Sequence, residues 1–464
     1  MQTATKLNQA GAPKASKKKH PPGLYLLFFT EMWERFSYYG MRGLLIYYLT
    51  YEFINGGLGY SQAVASSIYG FFTGAVYFTP LVGGWLTDRF IGKRLAITIG
   101  GITMALGNFV LFAQQSKTAL FIGLGLLIIG NGFFKPNIST LVGELYDEKD
   151  ERRDAAFTIF YMGINLGALI APLICGFLAE DLFKTTTNGV EHFAYNYGFL
   201  AAAIGMVIGQ ILFNALGNRY LGDLGKKPNV QQVKQNKKTA INEPLTKQEK
   251  HRTWAIVIIT CFVVFFWAGF EQAGSSMALY TDQFIDKTIF GWEIPSSWFA
   301  SVNPLFIILL APLVSMLWVR LSKSKRGDWP VPIKMGLGMV LLGLGFIVLV
   351  FAVMQTGSDP KHIAVKANLM FIVVTYLFHT LGELFLSPIG LSMVSRIAPV
   401  KLASLLMGVW LASSGIANIV AGQLAALTSS LGYFEIFSAI GGLAIFFGLI
   451  LILLTKPLNR MMKL

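Results

Sequence analysis

Apolar stretches long enough to cross a bilayer, about 20 residues each, recur along this chain. They begin near Leu24, Ser61, Leu95, Ala119, Ala155, Ala194, Trp254, Ser296, Pro332, Val365, Leu402 and Tyr433. Only helices and closed barrels satisfy every backbone polar group in lipid, and continuous apolar runs without period-two alternation exclude a barrel. The expectation is an all-α integral membrane protein with twelve transmembrane helices. Composition agrees, with 54% hydrophobic and 13% charged residues against roughly 25% charged in a soluble domain. Both cysteines, Cys175 and Cys261, fall inside spans, which leaves no disulfide framework and no C-x-x-C motif. Residues 1–22 are polar and lysine-rich, without the apolar core and small-residue cleavage site of a signal peptide, so the first apolar stretch reads as a retained span.

An even number of spans places both termini on one side. Of the 38 lysines and arginines, 30 fall on that side, five on the other (Lys117, Lys184, Lys287, Lys361 and Lys366), and three within spans (Arg35, Arg42 and Lys135). The positive-inside rule then makes both termini cytoplasmic and predicts an inner-membrane, multi-pass protein. The net charge of +14 follows these loops, so topology accounts for it and nucleic acid is not an expected partner. The division read from the chain is a cytoplasmic tail over 1–22, a six-helix bundle over 23–216, a polar cytoplasmic linker over 217–252, a second bundle over 253–456, and a cytoplasmic tail over 457–464. The linker reads as a disordered or amphipathic tether without extra spans.

The first span carries Glu31, Glu34, Arg35 and Arg42. At roughly 2.5 to 3.5 kcal/mol per charge at a bilayer centre, these four cost about 10 to 14 kcal/mol unless they face one another or water. At about 100° per residue, positions 31, 34, 35, 38, 39 and 42 fall within roughly 140°, so Tyr38 and Tyr39 share the charged face. That face must line a lumen.

The two halves repeat. Thr79-Pro-Leu-Val in span 2 matches Ala311-Pro-Leu-Val in span 8, and Phe28-Phe with Glu34 matches Phe265-Phe with Glu271. Lys135-Pro136 in span 4 aligns with Ser387-Pro388 in span 10, and Met162-Gly-Ile-Asn165 with Met407-Gly-Val-Trp410. Four matches in span order predict parallel, pseudo-symmetric repeats, with a binding site near the midplane between bundles that rock against each other.

Between spans 2 and 3, Gly83-Gly-Trp-Leu-Thr-Asp88-Arg89-Phe-Ile-Gly92-Lys93-Arg94 resembles the loop signature of the major facilitator superfamily. At Glu31-Met-Trp-Glu34-Arg35-Phe-Ser-Tyr38-Tyr39-Gly40 the chain resembles the proton-dependent oligopeptide transporter family, whose first span carries E-x-x-E-R-F-x-Y-Y-G. Phe160-Tyr161-Met-Gly-Ile-Asn165-Leu-Gly167, Phe134-Lys135-Pro136-Asn137 and Gly382-Glu383-Leu-Phe-Leu-Ser387-Pro388 are similar to further family signatures. The resemblance implies a proton-coupled symporter of di- and tripeptides, with no cofactor besides the coupling proton and no use of ATP. It implies proton coupling by Glu31, Glu34, Arg35 and Lys135. Peptide binding would fall to Tyr38, Tyr39, Arg42, Tyr77, Lys135, Asn165, Asn303, Glu383, Ser387 and Trp410. Arg42 with Glu271 would close one side, and Asp88 with Arg89 would serve gating.

A zwitterionic peptide demands opposite charges on opposite walls, which makes Arg42 with Lys135 the expected carboxylate partners and Glu383 the ammonium partner. Residue chemistry alone leaves Asn165 and Asn303 equally suited to bonding neighbouring helices, and Tyr77 and Trp410 to packing. Intramembrane Lys135, Glu271 and Glu383 favour function, because a buried charge without a task is costly. His379 lies one turn before Glu383, but no third metal ligand is apparent. No H-E-x-x-H, nucleophile-and-base motif or G-x-x-x-x-G-K-[ST] segment points to an intramembrane enzyme or an ATPase.

Overall fold

Pro22 starts the first helix at the position where its missing N–H costs nothing, and span 1 runs Pro22–Thr50. In the computed structural model, residues 19–147, 150, 152–228, 244–324, 327–360, 363 and 365–462 are described. Span 2 (Gln62–Leu86) and span 4 (Lys117–Glu144) each begin at a serine whose hydroxyl accepts an N–H of the first turn, Ser61 from Val64 and Ser116 from Ala119. Spans 3 (Lys93–Ala113), 5 (Arg152–Phe177) and 6 (Tyr195–Leu221) complete the first bundle.

Span 7 begins with a capping box in which Thr246 and Glu249 satisfy each other's backbone amides. It runs Lys247–Phe270, passes through a 3-10 turn at Glu271–Gly274 and continues as Ser276–Phe284. Span 8 opens with a 3-10 turn, Ser296–Ser301, and continues as Val302–Ser322. Spans 9 (Val331–Thr356), 10 (Met370–Ile397), 11 (Ala403–Leu431) and 12 (Tyr433–Leu453) follow.

Ten of these helices are long and apolar enough to cross a membrane. Spans 1 and 2 have the length but not the hydropathy: the charges dilute the first, and glycine, serine, tyrosine and proline the second. The apolar residues form two cores, one over spans 1–6 joined by Ala278 and Leu279 of span 7, and one over spans 7–12. Internal prolines recur at corresponding places, Pro80 with Pro312 and Pro136 with Pro388.

Several boundaries differ from the sequence expectation. Span 7 starts seven residues before Trp254 because its capping box takes the end of the 217–252 linker into the helix. Span 10 starts at Met370 instead of near Val365, because Ala367–Asn368 pairs in parallel with Ile285–Asp286. The expected tail over 457–464 is largely a helix, Thr455–Met462, whose end accepts bonds from Gln248 and Arg252 of span 7. Residues 1–18 and 229–243, most of the N-terminal tail and the middle of the linker, lie outside the described residues. Between Leu221 and Lys247 about 25 residues remain, too few for two further spans of about 20.

Two small hairpins ornament the face opposite the termini, called here the distal face. Thr185–Thr187 pairs with Val190–His192 around Asn188-Gly189, and Thr288–Ile289 pairs with Trp292–Glu293 around Phe290-Gly291. All four turn residues have positive φ, as the tightest hairpin turns require.

The bundles meet near the distal face. Tyr47 Oη donates to the Ser296 carbonyl (3.2 Å), Ser301 Oγ to the Leu169 carbonyl (2.7 Å) and Trp298 Nε1 to the Leu173 carbonyl (3.0 Å). Spans 2 and 11 cross backbone to backbone at Gly70 and Gly422, where a Cβ on Gly70 would lie 2.7 Å from the Gly422 Cα. Among the described residues no hydrogen bond or ion pair joins span 4 to span 10 at the terminal face. The molecule is closed distally.

Candidate functional site

Span 1 supplies the densest charge. Arg35 binds both oxygens of Glu34, with Nη2 to Oε1 at 2.7 Å, and its Nε lies 3.2 Å from Glu31 Oε1. All three side chains are buried, and Asn131 of span 4 adds a 3.4 Å bond to Glu34. The triad therefore satisfies itself within the first bundle, as buried charges must. Glu31 Oε2 remains without a hydrogen-bond partner.

Lys135 lies one turn along span 4 from Asn131, with its ammonium 4.6 Å from the Tyr77 ring centroid. It sits within electrostatic reach of Glu34 and Glu31, yet has no carboxylate at ion-pair distance among the described residues. Held only by a cation–π contact, this half-buried ammonium is available to an anionic group.

Arg42, two turns beyond Arg35, crosses to the second bundle. Its guanidinium pairs with Glu271, and Nε donates to Tyr69 Oη at 2.7 Å. Glu271 reaches it from the 3-10 turn that interrupts span 7. Gly274 closes that turn beside Tyr69, where any Cβ would collide with the phenol oxygen. The break is steadied by Gln272, whose Nε2 donates to the Ala268 and Ala421 carbonyls, both at 3.0 Å.

On the opposite wall, Asn303 of span 8 donates to Glu383 of span 10 at 2.9 Å and to Thr380 Oγ1 at 3.0 Å. The amide thus orients the carboxylate and leaves its second oxygen uncommitted. Tyr39 ties the walls together, with Arg35, Arg42, Glu271 and Glu383 all within electrostatic reach of its phenol. Tyr161 is 46% exposed and within electrostatic reach of Glu383 and Tyr39. Lys135, Tyr39, Tyr77, Asn303 and Glu383 are half-buried.

Other residues singled out in the sequence sit differently. Tyr38 is buried against Phe72 beneath Arg35. Trp410 is buried in the second core and fits over Gly390, a packing position. Asn165 donates to the Tyr161 carbonyl of its own helix at 3.0 Å. Ser387 is half-buried and makes no side-chain hydrogen bond among the described residues. At the terminal face, Arg89 stacks on Trp85 and Asp88 has no partner among the described residues. The ion pair there is Lys93 with Glu144 instead. Tyr69, Asn131 and Thr380 are site residues that sequence reasoning missed. Spacing offered the signal: Tyr69 lies eight residues before Tyr77, Asn131 four before Lys135, and Thr380 three before Glu383, each on a shared helix face.

A second polar cluster seals the distal face. Asp282 of span 7 accepts bonds from Tyr51 Oη (2.8 Å) and Lys287 Nζ (2.9 Å), and from Ser296 Oγ. Glu180, at the end of span 5, accepts the backbone amides of Ser296 (2.6 Å) and Ser297 (3.3 Å) where span 8 begins. Burial works to lower the Lys287 pKa, but Asp282, Glu293 and Glu180 together raise it above the ordinary lysine value.

Comparison with known proteins places this architecture. The model of the POT family matches residues 94–246 and 227–437. The chain is 37% identical to an uncharacterized transporter, YclF, of Bacillus subtilis over 96% of this chain and 95% of the relative. It is 33% identical to the peptide transporter YePEPT of Yersinia enterocolitica, over 87% of each. A di-/tripeptide transporter of Lactococcus lactis subsp. cremoris is 30% identical over 95% of this chain and 96% of its own. Among solved structures, a POT peptide transporter in complex with sulfate superposes with a TM-score of 0.86 at 32% identity, covering 97% and 98% of the two chains. A POT family transporter in complex with 5-aminolevulinic acid gives 0.84 at 30% identity, over 96% and 99%. With two bundles of six spans, the triad in span 1 and full-length relatives of the same kind, this chain belongs to the POT family of multi-pass membrane transporters.

Proposed function

We propose that the protein imports di- and tripeptides across the inner membrane, coupled to protons, by alternating access between its two bundles. One observation carries the reading. Lys135 is an ammonium with no carboxylate at ion-pair distance among the described residues, and Glu383 is a carboxylate with one oxygen uncommitted. They come from separate bundles and are linked through Arg35, Arg42 and Tyr39, which lie within electrostatic reach of one or the other. A zwitterionic peptide offers the complementary pair of charges at its two ends, and charge-assisted hydrogen bonds of this kind are the strong ones. The 5-aminolevulinic acid bound by a relative also carries both groups, which is consistent with selection by terminal charge. The lysine and arginine distribution supports a cytoplasmic terminal face, in which case the distally closed conformation is the one shut toward the outside.

Coupling follows from charge. The membrane potential alone does not accumulate a neutral zwitterion, whereas one accompanying proton contributes about 2.3 kcal/mol per 100 mV, or about fifty-fold. In this reading Glu31 and Glu34 carry the proton and Arg35 reports its loss by pairing. Arg42 with Glu271 holds the outer side shut, and Lys135 senses the peptide carboxylate. Carboxylates that pair with arginine in only one conformation bind protons differently in the two states, which links protonation to rocking. Nothing in this scheme requires ATP, a metal, a cofactor or a catalytic step.

The test is uptake of labelled dialanine into proteoliposomes with an imposed pH difference, with and without a protonophore. Gradient-driven accumulation that the protonophore abolishes is expected. Glu31→Gln is expected to lose that accumulation while retaining peptide exchange. Equal retention of both would remove Glu31 from proton coupling, and failure of dialanine to compete with any transported solute would overturn the peptide reading.

A further inference from the structure

Outside the charged site, an apolar groove of ≈ 1120 Å³ lies on the outer surface of the helices, near the distal face. Three helices build it from matched stripes: Val64, Ile68 and Phe71 on span 2, Phe121 and Ile128 on span 4, and Leu427 on span 11. Its walls belong to both bundles.

A cation lies one helical turn from the distal end of the groove. Lys117 opens span 4 one turn above Phe121, with its ammonium 4.5 Å from the ring centroid of Tyr60, just ahead of span 2. Of the described distal lysines, Lys184 and Lys287 are engaged by carboxylates, whereas exposed Lys117 and Lys366 have no carboxylate at ion-pair distance among the described residues. The span 4 terminus adds donors. Ser116 Oγ is taken by the Ala119 amide and its carbonyl by the Leu120 amide, and the amides of Lys117 and Thr118 have no intrahelical acceptor, as in any first turn. A cation beside free helix-terminal amides is a phosphate site. From Lys117 to Ile128 the helix rises about 16 Å, close to the roughly 15 Å of one leaflet's hydrocarbon.

We propose that the groove binds one anionic phospholipid of the outer leaflet. Its headgroup phosphate would sit against Lys117 and the span 4 amides, and one acyl chain would lie between spans 2, 4 and 11. Because span 11 comes from the other bundle, the lipid is complementary to the distally closed conformation and stabilises it. The inference does not rest on the identity of the transported solute.

Native mass spectrometry of the purified full-length protein, titrated with phosphatidylglycerol or phosphatidylcholine, tests it. One phosphatidylglycerol is expected to stay bound more tightly than phosphatidylcholine, and Lys117→Gln to weaken it about five-fold, the worth of roughly one lysine at an anionic surface. Lys366→Gln, elsewhere on the distal face, is expected to leave it unchanged. A Cβ on Gly125 would meet open space within the groove, so Gly125→Trp should fill it and abolish retention while the melting temperature stays near wild type. Equal retention by the wild type, Lys117→Gln and Gly125→Trp proteins would overturn the site. So would equal binding of both lipids, or displacement of the lipid by a copurifying polypeptide.

Discussion

Glu180→Gln is expected to loosen the distal seal without touching the binding site. The Glu180 carboxylate accepts two backbone amides at the start of span 8, one of them at 2.6 Å. A hydrogen bond to a charged group contributes about 1.5 to 3 kcal/mol, and a neutral one about 1. A carboxylate at a helical N-terminus gains a further 0.3 to 1 kcal/mol, roughly. Glutamine retains one neutral acceptor in place of two charged bonds, so the loss is about 2 to 6 kcal/mol, a factor of about 30 or more in the closed-to-open ratio. The assay is the spin-label distance between Thr186→Cys and Ile289→Cys, two exposed positions on the distal hairpins of opposite bundles, in a Cys261→Ser background; Cys175 is buried. The Glu180→Gln distribution should gain a longer component, absent or minor in the wild type. Superimposable distributions would refute the claim that these bonds hold the bundles together.

Glu383→Ala should weaken dipeptides with a free amino terminus far more than amino-blocked ones, measured by competition; equal weakening would remove Glu383 as the ammonium partner. Gly83→Val should cost folded protein, because a Cβ there would press on the Gly132 carbonyl between spans 2 and 4, and overpacking of this kind costs about 1 to 3 kcal/mol. Detergent melting curves would detect it. Lys287 has a raised pKa in the folded protein, so its contribution is present below the unfolded lysine pKa and fades only as pH climbs through the folded value. The Lys287 contribution to the distal spin-label distance should therefore be flat from neutral pH up to the ordinary lysine range, and a change near neutrality would exclude Lys287 as its cause and point to Glu180 in the same cluster.

The expensive residues were the legible ones. Glu31, Glu34, Arg35, Arg42, Lys135, Glu271 and Glu383 stand out because a charge in an apolar helix demands a partner or a lumen, and the helical period groups those of span 1. Neutral polar partners were harder to see. Tyr69, Asn131 and Thr380 cost little to bury, so only their position relative to a charge marks them. Trp410 and Tyr38 show the converse, since an aromatic beside a charged motif packs as readily as it lines a cavity, and Gly390 decides for Trp410. The short distal strands escaped notice because ladders of two or three residues carry no periodicity. The start of span 7 escaped because its polar first turn is held by a cap and not by apolar residues.

The contact of Gly70 with Gly422 has a mechanical consequence. With no side chains interlocked there, it behaves as a smooth bearing placed off centre. Along span 2, about 12 Å of helix lie beyond Gly70 toward the distal face and about 24 Å toward the terminal face. Along span 11, the two arms from Gly422 are about 14 and 28 Å. A small parting on the distal side of this fulcrum would therefore swing the ends at the terminal face about twice as far.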